Sequence, residues 1–493
     1  MTTKKVIIIG AGFSSLSAAS YLAKAGYDVT IIEKNKVVGG RARQYKKEGF
    51  TFDIGPSFYW MPDVFESYFN DFKKKVSDYY TLNKLNPAYQ VFFEDKTSLK
   101  ISDNIEDIKN SFEELEKGSG NKLEQFLKSA EQNYDIAMKD LVHKPGEHIG
   151  ELITIQTIKR VGIFFTSIKK QVAKRFKNKK LQQILEFPVL FLGAKPSKTP
   201  AFYNFMNHAD LNLGTWHPQG GMYEVVKAMA SLNQSLGVKI ITDCAVQKIN
   251  LTKNIATSIT TEAGDLNCDV LLSGADYNFT EKLLPPNFRQ YSDRYWSKKT
   301  FAPSALLFFV GFNKKLKNVS HHSLFFDSDF DLHAKEIYDT KKWPTDPLFY
   351  ASFPSINDNT CSPKNMEAGV FLIPIAPGIK DTTIIRAKYF KIIINRIEKI
   401  TKQNIANNII FKKSYSVNDF TKDYNAYKGN AYGLANTLTQ THILRPRLKS
   451  KKVKNMYFTG QLTVPGPGVP PSIISGKIVS ELINKYHNNE RII

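Results

Sequence analysis

Apolar residues fall along the chain in two patterns, continuous β-branched runs and helically spaced stripes. Val6-Ile7-Ile8-Ile9 is an uninterrupted run of the kind buried on both faces of a parallel sheet. Gly10-Ala11-Gly12-Phe13-Ser14-Ser15 follows at once, and residues 16–25 then have the Ala- and Leu-rich composition of a helix that Gly26 ends. Asp28-Val29-Thr30-Ile31-Ile32 predicts a second strand, which runs into Glu33. Strand, glycine turn, helix, strand and acid in that order make a complete βαβ unit. The pattern resumes later. Residues 223–236 predict a helix ended by Gly237, 238–242 a strand, and 244–249 its continuation in the same sheet. Residues 269–273 predict a strand closing on Gly274, and 302–311 and 369–376 two more. Residues 380–402 read as a helix, 455–459 as a strand ending at Gly460, and 473–484 as an apolar helix after a Gly/Pro loop. Residues 61–205 carry few turn signals and a largely helical composition.

The first unit has a chemical reading. Gly10 permits a tight turn, Gly12 lets backbone approach a pyrophosphate, and the helix N-terminus offers free N–H groups and a favourable dipole. Glu33 is placed to accept hydrogen bonds from a ribose. Ser15 stands where a third glycine is usual; it is small enough for helix and strand to pack. Val38-Gly39-Gly40-Arg41 and Phe52-Asp53-Ile54-Gly55-Pro56-Ser57 come soon after. Paired glycines allow close backbone approach, and arginine brings forked donors to phosphate. Pro465-Gly466-Pro467-Gly468-Val469 opens the last helix in the same manner.

This arrangement resembles the FAD-containing flavoprotein oxidoreductases that include amine oxidases and carotenoid desaturases. The stretch from Gly49 to Ser57 and the following Tyr59-Trp60-Met61-Pro62 are most similar to bacterial phytoene desaturases. The resemblance implies an α/β fold with a Rossmann-like FAD-binding domain built from residues 1–60, 206–285 and 425–493. It also implies a discontinuous α+β substrate domain over 286–424 and a helical, membrane-facing lid over 61–205. The implied cofactor contacts are Gly10, Gly12, Phe13, Ser14, Ser15, Glu33, Lys34, Gly39, Gly40, Arg41, Gly55, Pro56, Ser57, Val246, Gly460, Gly468 and Val469. Val246 would meet the adenine through its backbone, and Val469 would lie near the pyrimidine ring of the flavin.

The implied reaction removes two hydrogens from a CH2–CH2 unit beside a polyene, with hydride passing to flavin N5. Phytoene, an acyclic C40 carotenoid, is the first expected substrate. A 3,4-desaturase of hydroxylated acyclic carotenoids is the alternative. A carotenoid cis–trans isomerase, an amine oxidase and a non-enzymatic flavin-binding membrane adaptor are the others. Oxygen or a membrane quinone would reoxidise the flavin; one dinucleotide fingerprint implies no nicotinamide partner. No catalytic acid or base can be named from the residues.

Composition narrows the setting. A chain of 493 residues, 42% hydrophobic and 23% charged, is ordinary globular protein of two or three domains. Mean hydropathy is −0.31 and no apolar run reaches 18 residues, so no transmembrane helix is expected. No secretory signal is expected either, since Gly10 interrupts the short run after Val6. Three cysteines are too few and scattered for a disulfide framework or a zinc site, and Cys244 and Cys268 are expected on strands as core thiols. Adjacent His321 and His322 point to opposite faces of a strand and suit no single metal. The net charge of +22 calls for an anionic partner. Residues 152–185 hold nine basic side chains and no acid, interleaved with Ile163, Phe164, Phe165, Ile168, Val172, Phe176 and Leu181. A basic helix with such apolar positions suits the surface of an anionic bilayer, with the protein peripheral on its cytoplasmic side. Nucleic-acid signatures are absent from the sequence.

Overall fold

The computed structural model describes residues 3–487. Five parallel strands lie in the order Met456–Phe458, Val270–Ser273, Lys5–Ile9, Asp28–Ile32, Lys239–Ile241. Lys5–Ile9 is central; Val6 and Ile8 are buried in the core on one face and Ile7 and Ile9 in that on the other, as a β-branched run covered on both faces requires. Helix Phe13–Lys24 packs between helices Tyr223–Ser235 and Val469–His487. Serines bring the first and last helices close: Ser17 Oγ donates to Ile473 O at 2.7 Å, and Ser480 Oγ to Ala18 O at 3.1 Å. Residues 456 and 462 positions apart in the chain therefore share one layer.

A second sheet has seven strands, in the order Ile409–Tyr415, Ser304–Phe312, Glu367–Ile375, Phe349–Ser352, His322–Phe326, Tyr89–Phe93, Ser98–Ile101. All neighbours are antiparallel except His322–Phe326 with Tyr89–Phe93. Alternation along Ser304–Phe312 divides its two faces. Leu306, Phe308 and Val310 join Ile393, Ile394 and Ile397 of helix Thr383–Thr401 in one core. Ala305, Leu307 and Phe309 turn the other way, against Phe50 and Phe52 of the hairpin Gln44–Lys47/Phe50–Asp53.

Four sequence expectations change. Residues 244–249 do not continue the parallel sheet: Val246–Thr252 pairs with Ile255–Thr261 and Gly264–Asn267 in a separate antiparallel sheet. Cys244 and Cys268 lie just outside those strands rather than within them. Residues 61–205 are not wholly helical, since Tyr89–Phe93 and Ser98–Ile101 extend the seven-stranded sheet whose other strands come from beyond residue 300. The basic stretch is not one amphipathic helix. It breaks into Ile155–Lys159, Val161–Phe164, Ile168–Arg175 and Lys179–Glu186, and Ile168, Val172, Phe176 and Leu181 are core residues. Only its first part leaves large apolar side chains outside: Ile153, Ile158 and Phe165 are exposed.

Candidate functional site

The glycine turn is held from both sides. Gly10, at φ +88°, donates its N–H to Ile32 O at 2.8 Å, and Gly39 N donates to Ala11 O at 2.8 Å. Buried Glu33 ties the same parts together. Its Oε2 accepts from Ala11 N at 2.8 Å, and its Oε1 accepts from Asn35 N at 2.8 Å and Asn35 Nδ2 at 2.7 Å. Helix Phe13–Lys24 starts after Gly12 with no capping side chain and no acid in its first turn. Its first N–H groups therefore keep their capacity for an anion. A Cβ placed on Gly12 would meet no atom within 4 Å, so the helix N-terminus opens onto free space.

Ser15 points elsewhere. It is fully buried, its hydroxyl has no hydrogen-bond partner, and a Cβ on Gly274 would stand 2.1 Å from its Oγ. The closeness that a third glycine would give the helix is supplied from the facing turn instead. Gly274→Ala is therefore expected to destabilise the fold by about 1–3 kcal/mol through overpacking. Adding Ser15→Gly should recover most of that loss in urea denaturation, while Ser15→Gly alone leaves FAD content nearly unchanged.

All the predicted contacts except Ser15 line one cavity of about 900 Å³. Gly10, Gly12, Phe13, Ser14, Glu33, Lys34, Gly39, Gly40 and Arg41 line it from the first βαβ unit and the turn after it. Gly55, Pro56, Ser57, Val246, Gly460, Gly468 and Val469 come from elsewhere in the chain. Two of the charged groups are already engaged with protein. Lys34 Nζ donates to Lys422 O at 2.6 Å. The Arg41 guanidinium lies 5.1 Å from the Tyr424 ring and donates to Asn430 O at 3.2 Å. Burial pushes Arg41 down from the usual guanidinium range, and the Asp276 carboxylate works against that shift. Tyr424 has a second cation on it, Arg43, 5.1 Å from the ring and paired with Asp423 at 2.6 Å.

Asp276, Asp423, Tyr424 and Cys244 also line the cavity, and sequence reasoning did not assign them to it. Residues 423–425 lie just beyond the end of strand Asp28–Ile32, where Lys34 Nζ donates to Asn425 Oδ1 at 3.3 Å and Asn35 Nδ2 to Asp423 O at 3.2 Å. The loop before the last helix is organised by Arg445, which is buried. Its guanidinium donates to Thr463 O at 2.8 Å, Asn436 Oδ1 at 2.6 Å, Gln461 O at 2.6 Å, Gln440 O at 3.2 Å and Leu434 O at 3.3 Å.

Away from the glycines the cavity is walled by aromatic and aliphatic side chains, among them Phe187, Phe202, Phe326, Leu307, Leu324 and Leu372. The inward face of the seven-stranded sheet forms part of that wall. Ile149, Phe165 and Leu444 line the cavity and are also solvent-exposed, so they mark its mouth. His333 faces the cavity with both ring nitrogens committed, Nδ1 to Leu348 N at 2.8 Å and Nε2 to Pro374 O at 2.9 Å. The site thus joins a half lined by glycines and charged side chains to an apolar half.

Residues 13–484 match the family described as flavin containing amine oxidoreductase. The chain belongs to that family. Members of it hold FAD, and the residues present fit that cofactor: an open helix N-terminus for the pyrophosphate, a buried carboxylate for a ribose, and a glycine-lined path beyond. When bound, FAD supplies an acceptor for hydride at its N5. Glu33, Arg41 and the helix N-terminus would hold its polar half, and the apolar walls keep water from the reacting end.

The chain is 39% identical over 487 residues to carotenoid 3,4-desaturase of Haloarcula japonica, covering 98% of each chain. It is 31% identical over 493 residues to a 4,4'-diapophytoene desaturase (4,4'-diaponeurosporene-forming) of Staphylococcus haemolyticus, covering 97% of this chain and 98% of the relative. Solved structures share the fold at low identity. Putrescine oxidase bound to putrescine aligns with TM-score 0.61 at 12% identity, over 98% of this chain and 99% of that one. A fatty acid isomerase of P. acnes aligns with TM-score 0.60 at 13% identity over the same shares. The chain is an FAD-dependent enzyme, a carotenoid desaturase of the amine oxidase superfamily.

Proposed function

We propose that this desaturase introduces the 3,4 double bond into an acyclic carotenoid. The observation that carries the reading is the 39% identity to a carotenoid 3,4-desaturase over 98% of both chains. Phytoene, the first expectation from the motifs, is the second reading; the diapophytoene desaturase relative favours it. The long apolar cavity supports either substrate, since both are polyene chains that must be held away from water.

The test is product analysis. Purified holoenzyme in anionic liposomes receives phytoene in one arm and a hydroxylated acyclic carotenoid in the other, with oxygen or a quinone as acceptor. Lengthening of the conjugated chain, read by chromatography with absorbance detection, identifies the substrate. Products from phytoene alone would overturn the 3,4 reading.

The same proposal places the enzyme on the cytoplasmic face of an anionic membrane as a peripheral protein. Among the described residues no helix is long and apolar enough to cross a bilayer. Exposed Ile149 and Phe165 line the cavity mouth, where a lipid-dissolved substrate would enter, and Ile153 and Ile158 of the same stretch of chain are exposed as well. The double variant Ile149→Ser/Phe165→Ser is expected to lower co-flotation with anionic liposomes about tenfold, with FAD content unchanged. Raised salt should weaken binding of the native protein as well.

A further inference from the structure

Desaturation takes two hydrogens from the carotenoid. One leaves with its electron pair, which oxidised flavin accepts. The other leaves as a proton, and the electrons of its C–H bond become the new C=C bond. The proton needs an acceptor in a cavity whose walls are mostly apolar. His333 is committed to backbone on both nitrogens, and the carboxylates of Glu33, Asp276 and Asp423 lie in the cofactor half with partners of their own.

One polar chain leads out of the cavity. Ser57 and Tyr350 both line it. Ser57 Oγ and Tyr350 Oη are 2.8 Å apart, and Tyr350 Oη is 2.6 Å from His322 Nδ1. His322 is fully buried, stacked on Phe58 with ring centroids 4.0 Å apart, and its Nε2 has no hydrogen-bond partner. Such an orphaned ring nitrogen is costly in a structural histidine and useful in a conducting one.

Behind Ser57 and Tyr350 lies a second, smaller cavity of about 20 Å³, also lined by Asp53, His217 and His321. That volume suits a single water molecule with several polar partners. His321 continues the path, with its ring 4.4 Å from His322 and 4.6 Å from His217, and its Nδ1 is also unpartnered. His217 Nε2 meets Asp358 Oδ2 at 2.9 Å, and that oxygen also accepts from Gly220 N at 2.6 Å.

We propose that Tyr350 takes the proton released by the carotenoid while passing its own hydroxyl proton to His322 Nδ1, and that the small cavity between Asp53, His217 and His321 carries it onward. The substrate C–H bond breaks and a Tyr350 O–H bond forms; the original O–H bond breaks and an N–H bond forms on His322. Tyr350 ends neutral and the charge moves away from the polyene. Burial pushes both His321 and His322 well below the ordinary imidazole range, so His322 hands a proton on rather than keeping it. Burial also raises the Asp53 carboxyl to about 6, where it exchanges protons near neutral pH. The charged and titratable groups facing this chain are Asp53, Asp358, His217, His321, Tyr432 and Cys361, whose Sγ lies 3.5 Å from Asp358 Oδ2. The inference rests on carotenoid desaturation and holds for either substrate named above.

Two measurements test it on the FAD-loaded protein. In the first, 3-fluorotyrosine is placed at position 350 and its ¹⁹F resonance is read without turnover. The resonance should shift on His322→Gln; an unmoved resonance overturns the relay. In the second, anaerobic flavin reduction by carotenoid is followed in light and heavy water. The native enzyme should show a solvent isotope effect, and Tyr350→Phe should reduce flavin about 10²-fold more slowly with the effect gone and FAD content retained. No solvent isotope effect in the native enzyme, or an undiminished rate in Tyr350→Phe, overturns the proposal. Should the phenylalanine variant fail to fold, the fluorotyrosine enzyme replaces it, and a rate indifferent to the fluorine overturns the proposal. Flavin that no carotenoid reduces would overturn the desaturation reading and the relay's role with it, while the ¹⁹F arm still reports on the coupling.

Discussion

Arg445→Met is expected to give the largest loss of stability among the single substitutions considered. The guanidinium serves four backbone carbonyls and Asn436 Oδ1, all in loops that converge beside the cavity. Methionine fills similar space and donates nothing. Several buried acceptors then lose their donor, at roughly 1–3 kcal/mol each, and a total of about 4 kcal/mol is expected after local rearrangement. Burial already depresses the guanidinium to about 10, a sign of how little solvent reaches it. Arg445→Lys should recover less than half, because a single ammonium cannot span the directions that the planar fork covers. Urea denaturation of the purified variants measures both. Gln461 and Asn436 line the cavity, so the methionine variant should also lose FAD on gel filtration.

Glu33→Ala is expected to raise the dissociation constant for FAD about 100-fold. The carboxylate has two duties. It receives three protein N–H groups, from Ala11 and Asn35, and thereby sets the glycine turn against the end of the second strand. Its remaining acceptor capacity faces the cavity, where ribose hydroxyls would donate. Two hydrogen bonds to a charged acceptor, at roughly 1.5 kcal/mol each, correspond to about that factor. Glu33→Gln keeps the volume and one acceptor oxygen and should fall between. Fluorescence titration of the apoprotein with FAD separates the three proteins. Equal affinities in all of them would remove Glu33 from the ribose role.

What the sequence made legible was local. Asp28–Ile32 and the helix beginning at Tyr223 fall where their periodicity and flanking glycines put them. The glycine turn, Glu33 and the last helix were readable for the same reason, since each signal spans a dozen residues. What was not legible depends on partners far away. Nothing near Tyr89–Phe93 says that it will pair with His322–Phe326, more than 200 positions later. Val246–Thr252 has a strand's composition, but its sheet is decided by the two strands that follow it. The apolar positions of 152–185 looked like one membrane-facing stripe. Burial divides them instead, because the short helices turn Ile168, Val172, Phe176 and Leu181 into the core. Tyr424 and Asp276 reach the cavity only through tertiary packing, and a lone tyrosine or a helix-capping aspartate announces no ligand in sequence.

The parallel sheet has a consequence for how the protein is made. Its edge strand, Met456–Phe458, pairs with Val270–Ser273, and the helix that covers Phe13–Lys24 begins only at Val469. A ribosome that has released the glycine turn still has over 400 residues to synthesise before that layer can close. Until then Val6, Ile8 and Leu16 lack their full cover. The nascent chain therefore passes that interval with its cofactor-binding half open to solvent and prone to self-association. Cofactor capture belongs after helix Val469–His487 has been made, and a supply of FAD at that moment favours the closed form by mass action.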